Sequence, residues 1–304
     1  MVSIEVIGSQ LAGTLKRCSA DYIEARLEAS QSSHITYRGR ELESIGRTTA
    51  IGGNVRALVK GGWGFVSFNN LDELPGRVEL AAEQAKFASS GKSKLAQVGP
   101  VVDIMSAEID RNPVTMPLAE KKRLLDEYND IIWRTPKLQT STIGYGDSHK
   151  KVIFLSSSGS YIKQERADIT LRLNAVAAEG SEVQQVGLSL GSTGDFSSIQ
   201  GLHQQVERMA KHAVELLSAP QIKGGEYTVV LDPVLAGVFV HEAFGHLSES
   251  DFVYENERLH KIMALGRKFG STELNIVDGA AVPGLRGSYK YDDEGTPATK
   301  TYLI

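Results

Sequence analysis

A run of 17 residues, 161–177, alternates between apolar and polar side chains, and this alternation most limits what the chain can fold into. Successive side chains of a β-strand point to opposite faces, so one face of this strand would be apolar and the other polar. That pattern is typical of an antiparallel sheet covered on one side only. The apolar face comprises Ile169, Leu171, Leu173, Ala175 and Ala177, and the polar face Thr170, Arg172 and Asn174.

Shorter apolar runs on both sides of this segment predict further antiparallel strands. Gly52-Gly53 and Gly61-Gly62 separate the N-terminal runs and predict tight turns between them. Residues 90–117 are interrupted by prolines, and we expect a connection there with at most one strand. The runs lie at residues 22–30, 35–37, 55–60, 65–68, 140–145, 152–155 and 183–190.

Three further segments have the apolar spacing of amphipathic helices. The first would begin near Asn70 and end at Gly91, the second would follow Pro117 and stop before Pro136, and the third would end before Pro220. Strands and helices together predict an α+β fold, with mostly antiparallel sheets and packed helices.

The length and composition allow two domains, because 304 residues with 41% hydrophobic content can bury a core in each. We expect an N-terminal α+β domain over residues 1–219. A β-rich C-terminal domain would start at residue 220. Residues 301–304 form an apolar, strand-like run, from which we expect this second domain to be truncated at its C-terminal end.

The charge and apolar content exclude several classes of protein. A net charge of −4 leaves no basic excess for phosphates, so we expect no direct nucleic-acid partner. The apolar runs are too short for a membrane span, and the N-terminus lacks the features of a secretory signal, which predicts a cytoplasmic protein. Cys18 is the single cysteine, so a disulfide within the chain and a zinc site with several sulfur ligands are excluded.

The segment His241-Glu242-Ala243-Phe244-Gly245-His246 carries the candidate chemistry. After a predicted short strand at 227–231, Asp232-Pro233 predicts a helix start, and residues 234–240 are apolar on every side, so we expect a buried helix. Buried imidazoles and carboxylates need partners. A Zn²⁺ ion would be such a partner, with both histidines as ligands and Glu242 deprotonating a water whose pKa the zinc lowers to about 7. This pattern predicts amide hydrolysis.

The spacing of the two histidines predicts an irregular turn. Residues five apart on a regular helix lie about 140° apart around the axis, too far to share an ion. We therefore expect a π-bulge or unwinding at 242–246, made easiest by Gly245. The alternative interpretation is that two core histidines flank a glutamate by chance.

A zinc peptidase site uses a third protein ligand. Glu249, Asp251 and His260 follow closely enough to be candidates, although each also fits a solvated surface. The acidic residues 292–294 could hold a cation, but the following Gly295 and Pro297 are equally typical of a surface turn.

Residues 241–251 resemble the signature of the TldD/PmbA family of metallopeptidases, a family also described as modulators of DNA gyrase. Residues 55–65 resemble the strand-turn-strand near the N-terminus of that family, and residues 292–297 resemble its acidic turn. Because the two-histidine motif is present, the chain is similar to TldD-type rather than TldE/PmbA-type subunits.

The resemblance implies that His241 and His246 bind zinc and that Glu242 is the general base. It also implies a dimer, with a second copy or a TldE/PmbA-type subunit, that cleaves small or unfolded peptides. The third ligand of the family is a cysteine well downstream, and no residue here corresponds to it. The alternative function is a non-catalytic regulatory or interaction subunit that modulates a partner such as DNA gyrase.

Overall fold

The computed structural model of the chain describes residues 4–89, 91, 93–96, 98–107 and 111–304. The chain divides into two compact units. Unit 1 comprises Met1–Ala219 and Asp293–Gly295, and unit 2 comprises Pro220–Asp292 and Thr296–Ile304.

Unit 1 is built on a seven-stranded sheet. Its strands are β1 (Tyr22–Arg38), β2 (Glu41–Val59), β3 (Gly62–Phe68), β4 (Val102–Met105), β5 (Leu138–Ser156), β6 (Tyr161–Glu179) and β7 (Glu182–Ser192). The spatial order is β3-β2-β1-β5-β6-β4, and β7 also pairs with β6. All pairs are antiparallel except β4 with β6, which is parallel.

Four helices cover the sheet and form two hydrophobic cores with it. The helices are α1 (Ile4–Arg17), α2 (Leu74–Phe87), α3 (Leu118–Trp133) and α4 (His203–Glu215). The first core joins α1 and α2 to β1, β2, β3 and β5, with Leu11 and Val78 among its buried residues. The second joins α3 and α4 to β1, β5 and β6, with Tyr128 and Val206 buried in it.

The two cores lie on the same face of the sheet, at different positions along the strands. Leu27 belongs to the first core and Ile35 to the second, and residues an even number apart in one strand share a face. Between them this face carries Glu165, whose carboxylate lies 3.2 Å from Lys163 Nζ and 3.4 Å from Lys151 Nζ. A strip of charged side chains therefore separates the two apolar regions.

The alternation of residues 161–177 is confirmed by β6, in which the five apolar residues of the predicted inner face are all buried. The expected α+β fold with mostly antiparallel sheet is confirmed as well. Helix α3 follows Pro117 and ends before Pro136 as predicted, and α4 ends before Pro220. The single strand expected within residues 90–117 is β4, although residues 90, 92, 97 and 108–110 of that connection lie outside the described residues.

The predicted turn at Gly52-Gly53 is wrong, because both glycines lie inside β2. A Cβ on Gly53 would lie 2.4 Å from the carbonyl oxygen of Arg26 and 2.9 Å from Phe68 Cζ. Gly53 therefore allows close packing between neighbours in the sheet. The turn predicted at Gly61 is confirmed, since this residue joins β2 to β3 with a φ of 78°.

The bounds of the N-terminal helices also differ from expectation. Helix α1 has no counterpart among the predicted elements. Helix α2 begins at Leu74 rather than near Asn70, after Glu73 in a left-handed conformation, and it ends at Phe87, before Gly91. The Asn70 side chain instead accepts a hydrogen bond from the Asp72 N–H in the preceding turn, 2.9 Å away.

Unit 2 contains short elements. These are α5 (Pro233–Val240), α6 (Ser250–Glu255), α7 (Glu257–Ile262), β8 (Val277–Asp278) and β9 (Thr301–Tyr302), and β8 pairs with β9. The strand predicted at 227–231 is wrong, because no described segment pairs with these residues and a strand needs a neighbour for its backbone hydrogen bonds. Among the helices of the described ranges, none is both long and apolar enough to cross a bilayer.

Candidate metal centre

Helix α5 begins where the sequence predicts and leads directly into the histidine motif. Asp232 Oδ1 accepts a hydrogen bond from the Leu235 N–H at 2.7 Å, and Pro233 occupies the first turn, where its missing N–H is no loss. This cap fixes the start of the helix and hence the position of His241 along it.

The expectation that α5 is buried is wrong. None of its residues is buried, and Val234 and Phe239 are 77% and 60% exposed. Apolar side chains on every side of a helix indicate a preference for burial, but another element must supply the covering surface. No other helix or strand of the described chain buries these side chains.

The predicted irregular turn is confirmed, because His241–Gly245 forms a π-helical turn between α5 and a short 3₁₀ turn at His246–Ser248. A π turn is wider than an α turn. It therefore brings residues five apart onto one side of the helix. Gly245 has ordinary helical angles, φ −53° and ψ −56°, so the widening does not depend on a conformation that only glycine adopts.

The wide turn brings the three predicted site residues together. The rings of His241 and His246 have centroids 4.3 Å apart, and one donor atom from each of His241, Glu242 and His246 lies within 4.8 Å of the others. Two ligands of one zinc ion lie at most about 4 Å apart, since each bond is about 2 Å long. All three side chains are exposed, and two imidazoles with a carboxylate are a donor set that fits a zinc ion.

None of the three nearby candidates for a third ligand joins this cluster. Glu249 Oε1 lies 2.6 Å from His246 Nδ1, and Glu249 does not belong to the group of donor atoms within 4.8 Å of one another. Asp251 Oδ1 accepts a hydrogen bond from the Phe252 N–H at 3.0 Å. His260 is exposed on α7. Within the described residues, the metal-type cluster contains His241, Glu242 and His246 only.

The acidic segment 292–295 forms a turn. Asp292 Oδ1 accepts a hydrogen bond from the Thr296 N–H at 2.8 Å, and Gly295 has a φ of 78°. Within unit 1, Glu294 Oε1 lies 2.7 Å from the guanidinium of Arg56. These contacts agree with a turn that is held by hydrogen bonds and an ion pair, as its glycine and proline indicate.

The contact between Glu249 and His246 was not distinguished by sequence reasoning, which treated Glu249 as one of three possible ligands. The available signal was the three-residue spacing, which places two side chains on the same side of a helical turn. That signal cannot show which ring nitrogen is contacted.

Three family models match the chain. They are the PmbA/TldA metallopeptidase domain 1 at residues 23–89, the central domain at residues 111–219 and the C-terminal domain at residues 224–304. The C-terminal match contains the whole candidate metal centre. Each of the first two matches contributes strands to the seven-stranded sheet of unit 1.

Curated proteins and solved structures agree with these matches. A metalloprotease of Synechocystis is 40% identical over all of this chain and 66% of its own length. A zinc metalloprotease TldD homolog of Saccharolobus solfataricus is 32% identical over 56% of this chain and 38% of its own length. The chain spans about two thirds of the length of the first relatives, from 64% to 66%.

Two solved structures share the fold. A Bacteroides thetaiotaomicron protein named for modulation of DNA gyrase has a TM-score of 0.79 at 16% identity, covering 100% of this chain and 70% of its own. TldE of Thermococcus kodakarensis has a TM-score of 0.68 at 17% identity, covering 100% of this chain and 67% of its own. The three domain matches and the Synechocystis relative place this chain in the PmbA/TldD metallopeptidase family.

Proposed function

We propose that this chain carries the metal-binding part of a zinc-dependent peptidase that hydrolyses small or unfolded peptides. The observation that supports this proposal most strongly is the convergence of His241, Glu242 and His246 on one π turn, with donor atoms within 4.8 Å of one another. Two imidazoles and a carboxylate are ligands and base of the type that zinc peptidases use. The name of the Saccharolobus relative supports zinc as the metal.

In this proposal His241 and His246 hold the metal, and Glu242 is the general base. A zinc ion held by the two histidines would supply Lewis-acid chemistry, which polarises a peptide carbonyl and makes water a better nucleophile at neutral pH. Glu242 accepts the proton of the attacking water and passes it to the leaving amine.

We also propose that the chain works as a dimer, with a second copy or with a TldE/PmbA-type subunit. The likeness of its fold to Thermococcus kodakarensis TldE supports this pairing, since related folds can present related surfaces. Light scattering on the chain alone, and after mixing with such a subunit, measures the assembly. A monomeric mass in both samples would contradict the proposal.

Zinc content and peptide cleavage, measured on the same samples, test the function. The full-length wild-type protein should bind one zinc and cleave a fluorogenic peptide. Glu242→Gln should keep the zinc and lose at least about 100-fold in rate, the usual contribution of a general base. Substitution of His246 by alanine should remove both properties. Glu255→Gln, an exposed acidic residue on α6, serves as the control and should change neither.

The competing function, a non-catalytic subunit that modulates a partner such as DNA gyrase, predicts a different result. The name of the Bacteroides thetaiotaomicron structure, which refers to modulation of DNA gyrase, supports this alternative. A chain that binds no zinc and cleaves no peptide, but changes the activity of gyrase when added to it, would support this alternative.

A further inference from the structure

We propose that Glu249 is a positioning residue for His246, holding the ring so that Nε2 is the nitrogen presented to the metal. This inference rests on the proposed zinc site. It assigns to Glu249 a role that differs from that of a ligand, because its carboxylate acts through His246.

The geometry supports this role directly. Glu249 Oε1 lies 2.6 Å from Nδ1 of His246, a short distance for a charge-assisted hydrogen bond. The 3₁₀ turn at His246–Ser248 lies between the two residues, and Ser248 Oγ donates to the Gly245 carbonyl oxygen at 2.9 Å. The turn therefore fixes where the Glu249 side chain starts relative to the imidazole.

The chemistry of the two groups decides where the ring proton lies. An ionised carboxylate has only acceptor atoms, so Nδ1 of His246 must be the donor in this hydrogen bond. A neutral imidazole with its proton on Nδ1 has its lone pair on Nε2. That lone pair is what a metal requires, and histidine ligands commonly donate their other ring N–H to a carboxylate.

The membership of the cluster is compatible with this role. His246 offers one ring nitrogen to the group of donor atoms within 4.8 Å, and Glu249 does not belong to that group. Because Glu249 contacts Nδ1, Nε2 is the ring nitrogen left for a metal. The carboxylate thus restricts both the tautomer and the rotation of the ring.

A second histidine–carboxylate pair provides a matched control. His203 Nε2 lies 3.0 Å from Glu127 Oε2, and these side chains are 45% and 47% exposed, against 48% and 43% for His246 and Glu249. In this pair the Glu127 carboxylate contacts Nε2 of the ring, whereas Glu249 contacts Nδ1 of His246. Both residues of the pair belong to unit 1. Removing Glu127 takes a carboxylate away from a histidine, as removing Glu249 does, but His203 belongs to no metal-type cluster of the described residues.

The first measurement is the tautomer of His246 in the metal-free chain, read from long-range ¹H–¹⁵N correlations of the ring. We expect the Nδ1–H form in wild type and in Glu127→Ala. In Glu249→Ala the population should shift toward the Nε2–H form. A His246 ring that carries its proton on Nε2 in wild type overturns the assignment, whether or not zinc binds.

The second measurement is the zinc dissociation constant by chelator competition. Glu249→Ala should weaken zinc binding about 10- to 100-fold at unchanged stoichiometry, the range found for partners of histidine ligands. Glu249→Gln keeps a neutral acceptor and should weaken it less, while Glu127→Ala should leave it unchanged.

Three results separate the possible failures. Wild-type affinity in Glu249→Ala would overturn the positioning role and leave the zinc site intact. A loss as complete as that of His246→Ala would make Glu249 a ligand, which also overturns the assignment. A wild-type chain that binds no zinc would instead contradict the proposed function on which the inference rests.

Discussion

Lys121 and Asp147 form an ion pair in which both side chains are completely buried. The Asp147 carboxylate also accepts hydrogen bonds from the hydroxyls of Ser33, at 2.6 Å, and Tyr145. Burial lowers the pKa of Lys121, and the hydrogen bond and charge of Asp147 only partly offset that effect. The pair joins α3 to β5 at the centre of unit 1, where a lost partner leaves an unpaired buried charge.

Removing one partner of this pair should therefore be costly. We expect Lys121→Met to lower the free energy of unfolding by about 3–5 kcal/mol, because the substitution leaves the buried Asp147 carboxylate without its partner. The double variant Lys121→Met/Asp147→Leu should lose less than the sum of the single variants. Urea denaturation followed by circular dichroism measures both.

Lys122→Met is the control, since its pair with Asp126 is 39% and 42% exposed and should contribute less than about 1 kcal/mol. A Lys121 variant as stable as this control would contradict the account.

Two glycines within strands should respond to alanine in opposite ways. A Cβ on Gly53 would meet backbone and side-chain atoms at 2.4–2.9 Å, so Gly53→Ala should destabilise unit 1 by about 1–3 kcal/mol or more. A Cβ on Gly144 has no atom within 4 Å, so Gly144→Ala should be neutral or stabilising by up to about 1 kcal/mol. Thermal unfolding of the two variants compares them directly. Equal shifts in Tm would contradict the packing described for β2.

The contribution of Glu165 to the free energy of unfolding should depend on pH. Burial alone would raise its pKa, but the hydrogen bond from Lys163 and the charge of Lys151 outweigh burial and lower it from the ordinary 4.5. An acid with a lowered pKa in the folded state stabilises that state above the unfolded pKa. This contribution is lost as the pH falls through the lowered value.

We therefore expect Glu165→Gln to be less stable than wild type at pH 7, with the difference shrinking below about pH 4.5. Denaturation at a series of pH values measures it. The exposed pair of Glu179 and Lys137 provides the comparison, because Glu179→Gln should change stability by less than about 1 kcal/mol throughout. A Glu165→Gln difference that stays constant from pH 7 to pH 3 would argue against the charged strip as a source of stability.

The sequence predicted those features of the fold that depend on the periodicity of side chains. The alternation in β6 identified its buried face because the period of a strand is fixed. It could not show that residues 22–30 and 35–37 belong to one strand, because the residues between them are polar. The buried one, Ser33, is hydrogen-bonded to Asp147 and Lys121. Gly52-Gly53 was ambiguous for a related reason, since glycine serves both turns and close packing.

The candidate site shows a similar division. The spacing of His241 and His246 was enough to predict a widened turn, because the geometry of a regular helix excludes their convergence. The exposure of α5 was not predictable, since apolar composition does not supply a covering element. The role of Glu249 required the position of one oxygen relative to one ring nitrogen, which spacing alone does not provide.

The central claim is that both His241 and His246 bind one metal ion through ring nitrogens. Zinc K-edge X-ray absorption on the zinc-loaded chain tests it most directly. The account predicts two imidazole nitrogens at about 2.0–2.1 Å in wild type and in Glu242→Gln, and no bound zinc in His241→Ala or His246→Ala. A first shell of oxygen atoms only, or an imidazole count that neither histidine variant changes, would contradict it.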